Sequence, residues 1–146
     1  HKPTMRKKLL LADDSITIQK VVELTFPSDE FEVVTAGNGR LAVDKALAFL
    51  PDIVLCDVIM PQLDGYQVCE TLKADPKTRD IPIIFISAHD APVEKVRAFR
   101  AGAVDYVTKP FEAEEVVARV ATHLEMSRLQ RETASRKAEP SAWVAP

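Results

Sequence analysis

The stretch Asp52-Ile53-Val54-Leu55-Cys56-Asp57-Val58-Ile59-Met60-Pro61-Gln62-Leu63-Asp64-Gly65 decides how the chain is read. Its apolar run, Ile53 to Cys56, is bounded by Pro51 before it and by Pro61 and Gly65 after it. A short unbroken run of this kind fits a strand buried on both faces, as strands of a parallel sheet are. The run stops abruptly at an acid, Asp57. Ligands of open α/β sheets bind at the carboxyl ends of the strands, so an aspartate there is placed for chemistry. Taken alone, Asp57 serves equally well as a turn cap. Other runs shift the balance: Leu9 to Ala12 ends in Asp13-Asp14, Ile83 to Ile86 in Ser87, and Tyr106 to Thr108 in Lys109. In a parallel sheet these polar groups converge on one site.

The rest of the chain supplies the alternation that such a sheet needs. Lys8 to Ala12 reads as the first strand, and Ser15 as the N-cap of a helix that Pro27 ends. Phe31 to Ala36 reads as the second strand, Gly37-Asn38-Gly39 as a turn, and Leu41 to Leu50 as a helix stopped by Pro51. After the central strand comes a helix over 65–74 carrying Val68 and Leu72, then a polar surface loop over 75–80. Ile81-Pro82 leads into the fourth strand. A helix over 91–101 follows with an apolar spacing of Val93, Val96 and Phe99, ended by Gly102. The fifth strand spans 103–108. The last helix begins near Glu112, with Val116, Val117, Val120, Ala121 and Leu124 on one stripe. The order βαβαβαβαβα predicts an α/β fold: a doubly wound, five-stranded parallel sheet with helices on both faces.

At 146 residues the chain holds one domain, expected over 7–126. Residues 1–6 read as a disordered N-terminal extension left over from expression, because four residues precede Met5. Residues 127–146 read as an extended helix end and a linker or tail, with Trp143 alone in it. A net charge of −3 excludes a non-specific nucleic-acid binder, whose footprint would be basic. No apolar run approaches the ~18 residues of a membrane span. Cys56 and Cys69 lie in apolar or helical patterns and form no metal-type pair, so buried thiols in a reducing cytoplasm are expected.

Clustered carboxylates repel one another unless a proton or cation neutralises them. Asp13, Asp14 and Asp57 offer hard oxygen ligands suited to Mg²⁺, with Mn²⁺ as a substitute. The plainer reading is that Asp13 and Asp14 decorate a helix N-terminus. Lys109 adds a positive point charge and Ser87 a hydroxyl. A metal, an ammonium and a hydroxyl around one carboxylate form a cradle for a phosphoryl group, and a carboxylate nucleophile yields an aspartyl-phosphate.

Asp13-Asp14, the run Asp57 to Gly65, Ser87-Ala88 and the run Ala101 to Phe111 together resemble the receiver domain of two-component response regulators, chemotaxis receivers among them. The likeness extends from about Lys7 to Leu124 and includes every expected motif in order. The resemblance implies a flavodoxin-like (βα)5 fold with strand order 2-1-3-4-5. It implies that Asp57 accepts a phosphoryl group from a sensor-kinase phosphohistidine, and that Asp14, Asp57 and the Ile59 backbone carbonyl hold Mg²⁺, with Asp13 reaching it directly or through water. Lys109 would pair with the acceptor carboxylate and then with a phosphoryl oxygen, aimed inward by a cis bond before Pro110. Ser87 would turn toward the phosphoryl group and Tyr106 would swing inward behind it. Ile59 and His89 occupy the positions that tune water attack on the aspartyl-phosphate, although His89 also reads as a plain loop residue, and His123 as surface or core. Implied partners are a cognate histidine kinase or phosphotransfer protein, a downstream effector or fused output domain, and a second copy through the face of the fourth helix, fifth strand and fifth helix. No nucleic acid or membrane is engaged directly.

The implied chain is a self-phosphorylating and autodephosphorylating signalling domain rather than a metabolic enzyme. A dehalogenase-type phosphatase would carry a second acid two residues after its nucleophile, where Ile59 stands. An FMN-binding flavodoxin would need a phosphate loop, which Gly37-Asn38-Gly39 is not. The remaining alternative is a phosphorylation-independent docking or dimerisation module.

Overall fold

A computed structural model describes residues 5–138 of the chain. Strands and helices alternate: β1 (Lys7–Ala12), α1 (Ile16–Thr25), β2 (Phe31–Ala36), α2 (Gly39–Phe49), β3 (Ile53–Asp57), α3 (Gly65–Ala74), β4 (Ile83–Ser87), α4 (Pro92–Ala101), β5 (Asp105–Thr108) and α5 (Ala113–Ala138). The sheet is parallel throughout, in the order β2-β1-β3-β4-β5. This is the flavodoxin-like arrangement expected above. The chain moves outward in opposite directions from β1 and β3, so the crevice at their carboxyl ends is the switch point where such folds bind ligands.

The inner strands β1, β3 and β4 are buried on both faces over most of their length, while the edge strand β2 is half-buried, and alternate residues serve different layers. Leu10, Val54, Cys56, Ile83 and Phe85 point to the layer covered by α2, α3 and α4. Leu9, Leu11, Ile53, Leu55, Ile84 and Ile86 point to the layer covered by α1 and α5. Local caps set the helix starts. Ser15 accepts from the Ile18 amide, Asn38 from the Leu41 amide, and Asp64 forms a reciprocal capping box with Gln67.

Several sequence expectations need correction. Gly37-Asn38-Gly39 is no free turn, because Asn38 caps α2 and Gly39 is its first residue. The polar loop over 75–80 is not wholly at the surface: Thr78 is fully buried and its hydroxyl donates to the Leu72 carbonyl at 2.7 Å. The fifth strand begins at Asp105, two residues later than expected. On α5, Val116 and Val120 are buried while Val117 and Ala121 face outward, so the core stripe is narrower than the spacing suggested. On α4, Val93, Val96 and Phe99 are exposed and Ala98 alone is buried. The layer beneath α4 already holds the rings of Tyr66, Phe85 and Tyr106, which leaves room only for a small side chain. Among the described residues, no helix is long and apolar enough to cross a membrane. Residues 1–4 of the expected extension, and the expected tail from Glu139 with Trp143, lie outside the described residues.

Candidate functional site

The carboxyl ends of β1, β3, β4 and β5 meet at one place. Asp13 directly follows β1, and its amide continues the ladder by donating to the Ala36 carbonyl at 3.0 Å. Its side chain is fully buried. One carboxylate oxygen accepts from the Ser15 amide at 2.8 Å and the other from Lys109 Nζ at 2.9 Å. Asp57 ends β3 and is 8 % exposed, enough for a ligand to reach it. Asp14 stands exposed beside them. One oxygen from each of Asp13, Asp14 and Asp57 lies within 4.8 Å of the others, a spacing that suits a single small cation.

Lys109 sits between two carboxylates. Its Nζ is 3.3 Å from Asp57 Oδ2, the expected partner, and 2.9 Å from Asp13 Oδ2, which is the closer of the two. The Lys109 amide donates to the Ser87 carbonyl at 2.7 Å, which fixes the end of β5 against the end of β4. The Lys109–Pro110 bond is cis. Burial alone would lower the Lys109 ammonium, but the two carboxylates outweigh it and hold the group above its ordinary value. Burial and the neighbouring Asp13 push the Asp57 carboxyl up, against the pull of Lys109 downward.

Ser87 is buried, and its hydroxyl oxygen accepts from the His89 amide at 3.1 Å. Ile59 is 61 % exposed and His89 is also exposed; both line a cavity with Val58, Met60 and Tyr66. The Tyr106 ring is already inward. It is buried, and its hydroxyl donates to the His89 carbonyl at 2.6 Å. A small Ser87 leaves space for the ring, and the free carbonyl of the β4–α4 loop gives the phenol a partner.

Sequence reading missed two groups, one near the site and one at the opposite end of β5. The first is Tyr66, at the start of α3, whose hydroxyl donates to Glu94 Oε2 at 2.6 Å. The two residues are 28 positions apart, and no local signal joins them. The second is a charge cluster at the β5–α5 edge. Arg119 Nη1 alone donates to both oxygens of Asp105, at 2.8 and 2.9 Å, and His123 Nε2 lies 2.9 Å from Asp105 Oδ2.

Burial would raise the Asp105 carboxyl, but hydrogen bonds from Arg119, His123 and the Tyr106 amide more than offset it, and the group stays below its usual range. A depressed folded value contributes stability above the unfolded carboxylate pKa of ~3.9 and loses it as pH falls through the folded value. Asp105→Asn is therefore expected to lose about 0.5–1 kcal/mol at neutral pH, a discount for the half-open Arg119 being included. The deficit should shrink toward zero below about pH 4. Urea unfolding of both proteins at neutral and acid pH measures this directly, and a pH-independent difference would count against the ion pair.

A family model for the response regulator receiver domain matches residues 9–121. The chain is 39% identical over 116 residues to the response regulator PleD of Caulobacter vibrioides, covering 80% of this chain and 26% of PleD. It is 34% identical over 113 residues to the DNA-binding dual master transcriptional regulator RpaA of Synechocystis, covering 77% of this chain and 47% of RpaA. Thus the chain spans only about a quarter to a half of the length of these relatives. Among solved structures, chemotaxis protein CheY4 of Vibrio cholerae superposes with a TM-score of 0.76 at 29% identity, covering 81% of this chain and 98% of that one. NtrX of Brucella abortus superposes with a TM-score of 0.83 at 26% identity, covering 94% of this chain and 31% of that one.

Proposed function

The chain belongs to the response regulator receiver domains of two-component systems, and from that membership we propose that Asp57 is its phosphoacceptor. The observation that carries this reading is the meeting of three carboxylates and one ammonium at the carboxyl ends of the strands. A carboxylate oxygen of Asp57 attacks the phosphorus of a kinase phosphohistidine. The P–N bond breaks, and its electron pair leaves with the imidazole, which takes up a proton. Mg²⁺ held by Asp13, Asp14, Asp57 and the Ile59 carbonyl would neutralise charge on the carboxylates and on the transferred group. Asp13, already bonded to Ser15 and Lys109, has least freedom to turn and is the ligand best served by an intervening water.

The chain's own groups do the rest. Lys109 neutralises Asp57 before transfer and a phosphoryl oxygen after it. Ser87 gives up its contact with the His89 amide to donate to the phosphoryl group. Ile59 offers no hydrogen bond to an attacking water, while His89 would orient one. The face of α4, β5 and α5 answers to the site, and the exposed Val93, Val96 and Phe99 make it fit for a partner or a second copy. A histidine kinase or phosphotransfer protein upstream, and an effector or output domain downstream, complete the pathway. Cys56 and Cys69 are both free thiols, which agrees with action in the cytoplasm.

Beryllofluoride, a stand-in for a phosphoryl group on an aspartate, tests the reading with Mg²⁺ present. Saturable, Mg²⁺-dependent amide shifts are expected near Asp57, spreading to Ser87, Tyr106 and α4. A folded protein that binds neither Mg²⁺ nor beryllofluoride would instead be a phosphorylation-independent docking module.

A further inference from the structure

α4 is weakly held by packing, since Ala98 is its one buried residue and its N-cap, Ala91, has no side chain to offer the first-turn amides. Two tyrosine hydroxyls secure its N-terminal end. From β5, Tyr106 donates to the His89 carbonyl in the loop before the helix, at 2.6 Å. From α3, Tyr66 donates to the Glu94 carboxylate in the first turn, also at 2.6 Å, and lies 3.3 Å from the Glu94 carbonyl. One turn further, the Arg97 guanidinium stacks 4.0 Å from the centre of the Tyr66 ring.

Phe85 on β4 lies between the two tyrosines. Phe85 packs edge-on against Tyr66 at 5.5 Å and against Tyr106 at 6.4 Å, and all three rings are buried. Tyr66 is also tied to the site. Its neighbour Gly65 donates from its amide to the carbonyl of Val58, the residue after Asp57, at 2.7 Å. Movement of the loop after Asp57 therefore reaches α4 through one backbone bond and one phenol.

We propose that Tyr66 is a positioning residue for the phosphorylation switch: its hydroxyl on Glu94 holds the first turn of α4 where the inward Tyr106 needs it. The inference rests on Asp57 as phosphoacceptor. The Tyr66 bond joins a phenol to a carboxylate, the stronger class of hydrogen bond, and it exists in the arrangement with Tyr106 inward. Losing it favours the arrangement with α4 released, and reciprocity requires a matching loss of affinity at Asp57.

The test is beryllofluoride titration with Mg²⁺, beside thermal unfolding, for the full chain and for Tyr66→Phe, Glu94→Ala, Glu94→Gln and the Tyr66→Phe/Glu94→Ala pair. Tyr66→Phe and Glu94→Ala should each weaken binding about fivefold, the lower end of coupling between sites. The pair should weaken it no further, because both changes remove one bond. Glu94→Gln keeps an acceptor oxygen for the phenol and should bind nearly as the parent does. Lower thermal midpoints with unchanged beryllofluoride affinity would reduce Tyr66 to a structural role and overturn the inference, as would fully additive losses. A parent chain that does not bind beryllofluoride would overturn the phosphoacceptor reading, and this inference with it.

Discussion

Asp57→Asn is expected to eliminate covalent phosphorylation while raising the stability of the protein in Mg²⁺-free buffer. The first effect follows from chemistry. An amide oxygen is a poor nucleophile toward phosphorus, and no other carboxylate matches Asp57 in position: Asp13 is fully buried and engaged by Ser15 and Lys109, and Asp14 stands outside. With a small phosphodonor such as acetyl phosphate, label incorporation should fall to background. An unchanged yield would remove Asp57 from the centre of the scheme.

The second effect follows from electrostatics. Burial and the Asp13 charge both disfavour the ionised Asp57 side chain. Neutralising it removes that penalty, and Lys109 keeps its closer partner, Asp13. A gain of about 1 kcal/mol in urea unfolding is the scale expected for relief of such a strained functional site. Mg²⁺ should stabilise the parent chain and leave the variant nearly unmoved, because the variant has lost one of three carboxylates.

The residues that make this site were legible because each interrupts a pattern. Asp57, Ser87 and Lys109 all end runs of residues that a doubly covered sheet must bury, and Asp13 follows such a run. Period and polarity are thus enough to locate the strand ends, and the alternating order is enough to bring them together. What stayed illegible depends on which surfaces are already filled. The spacing of Val93, Val96 and Phe99 looks like a buried stripe, yet these residues face outward because three rings from α3, β4 and β5 occupy the layer beneath them. Thr78 looked like part of a polar loop, but its hydroxyl closes the end of α3 on the buried Leu72 carbonyl. The pairing of Lys109 with Asp13 ahead of Asp57 is a difference of tenths of an ångström between two adjacent acids. Tyr66 and Glu94 meet only after α3 and α4 have docked.

Gly65→Ala should be strongly destabilising, at about 3 kcal/mol, the upper end for overpacking. The cause is space rather than backbone conformation, because Gly65 is not among the residues with positive φ. A methyl group there would fall inside contact distance of the Asp57 carbonyl oxygen and within 2.9 Å of the Val58 Cα. Both are backbone atoms and have no rotamer to escape into. Relief requires moving α3 away from β3, which breaks the bond from the Gly65 amide to the Val58 carbonyl and shifts the strand end that carries Asp57. Gly37→Ala is the matched control. Its added carbon would meet Gln19 Nε2 at 4.0 Å and nothing closer, so stability should stay within ~0.5 kcal/mol of the parent. Urea midpoints of the two variants decide the point, and acetyl phosphate incorporation in whatever fraction of Gly65→Ala stays folded should fall with the displaced Asp57. If both variants unfold alike, the junction after Asp57 has slack, and the position of the phosphoacceptor must be held by Lys109 and Asp13 rather than by the backbone of α3.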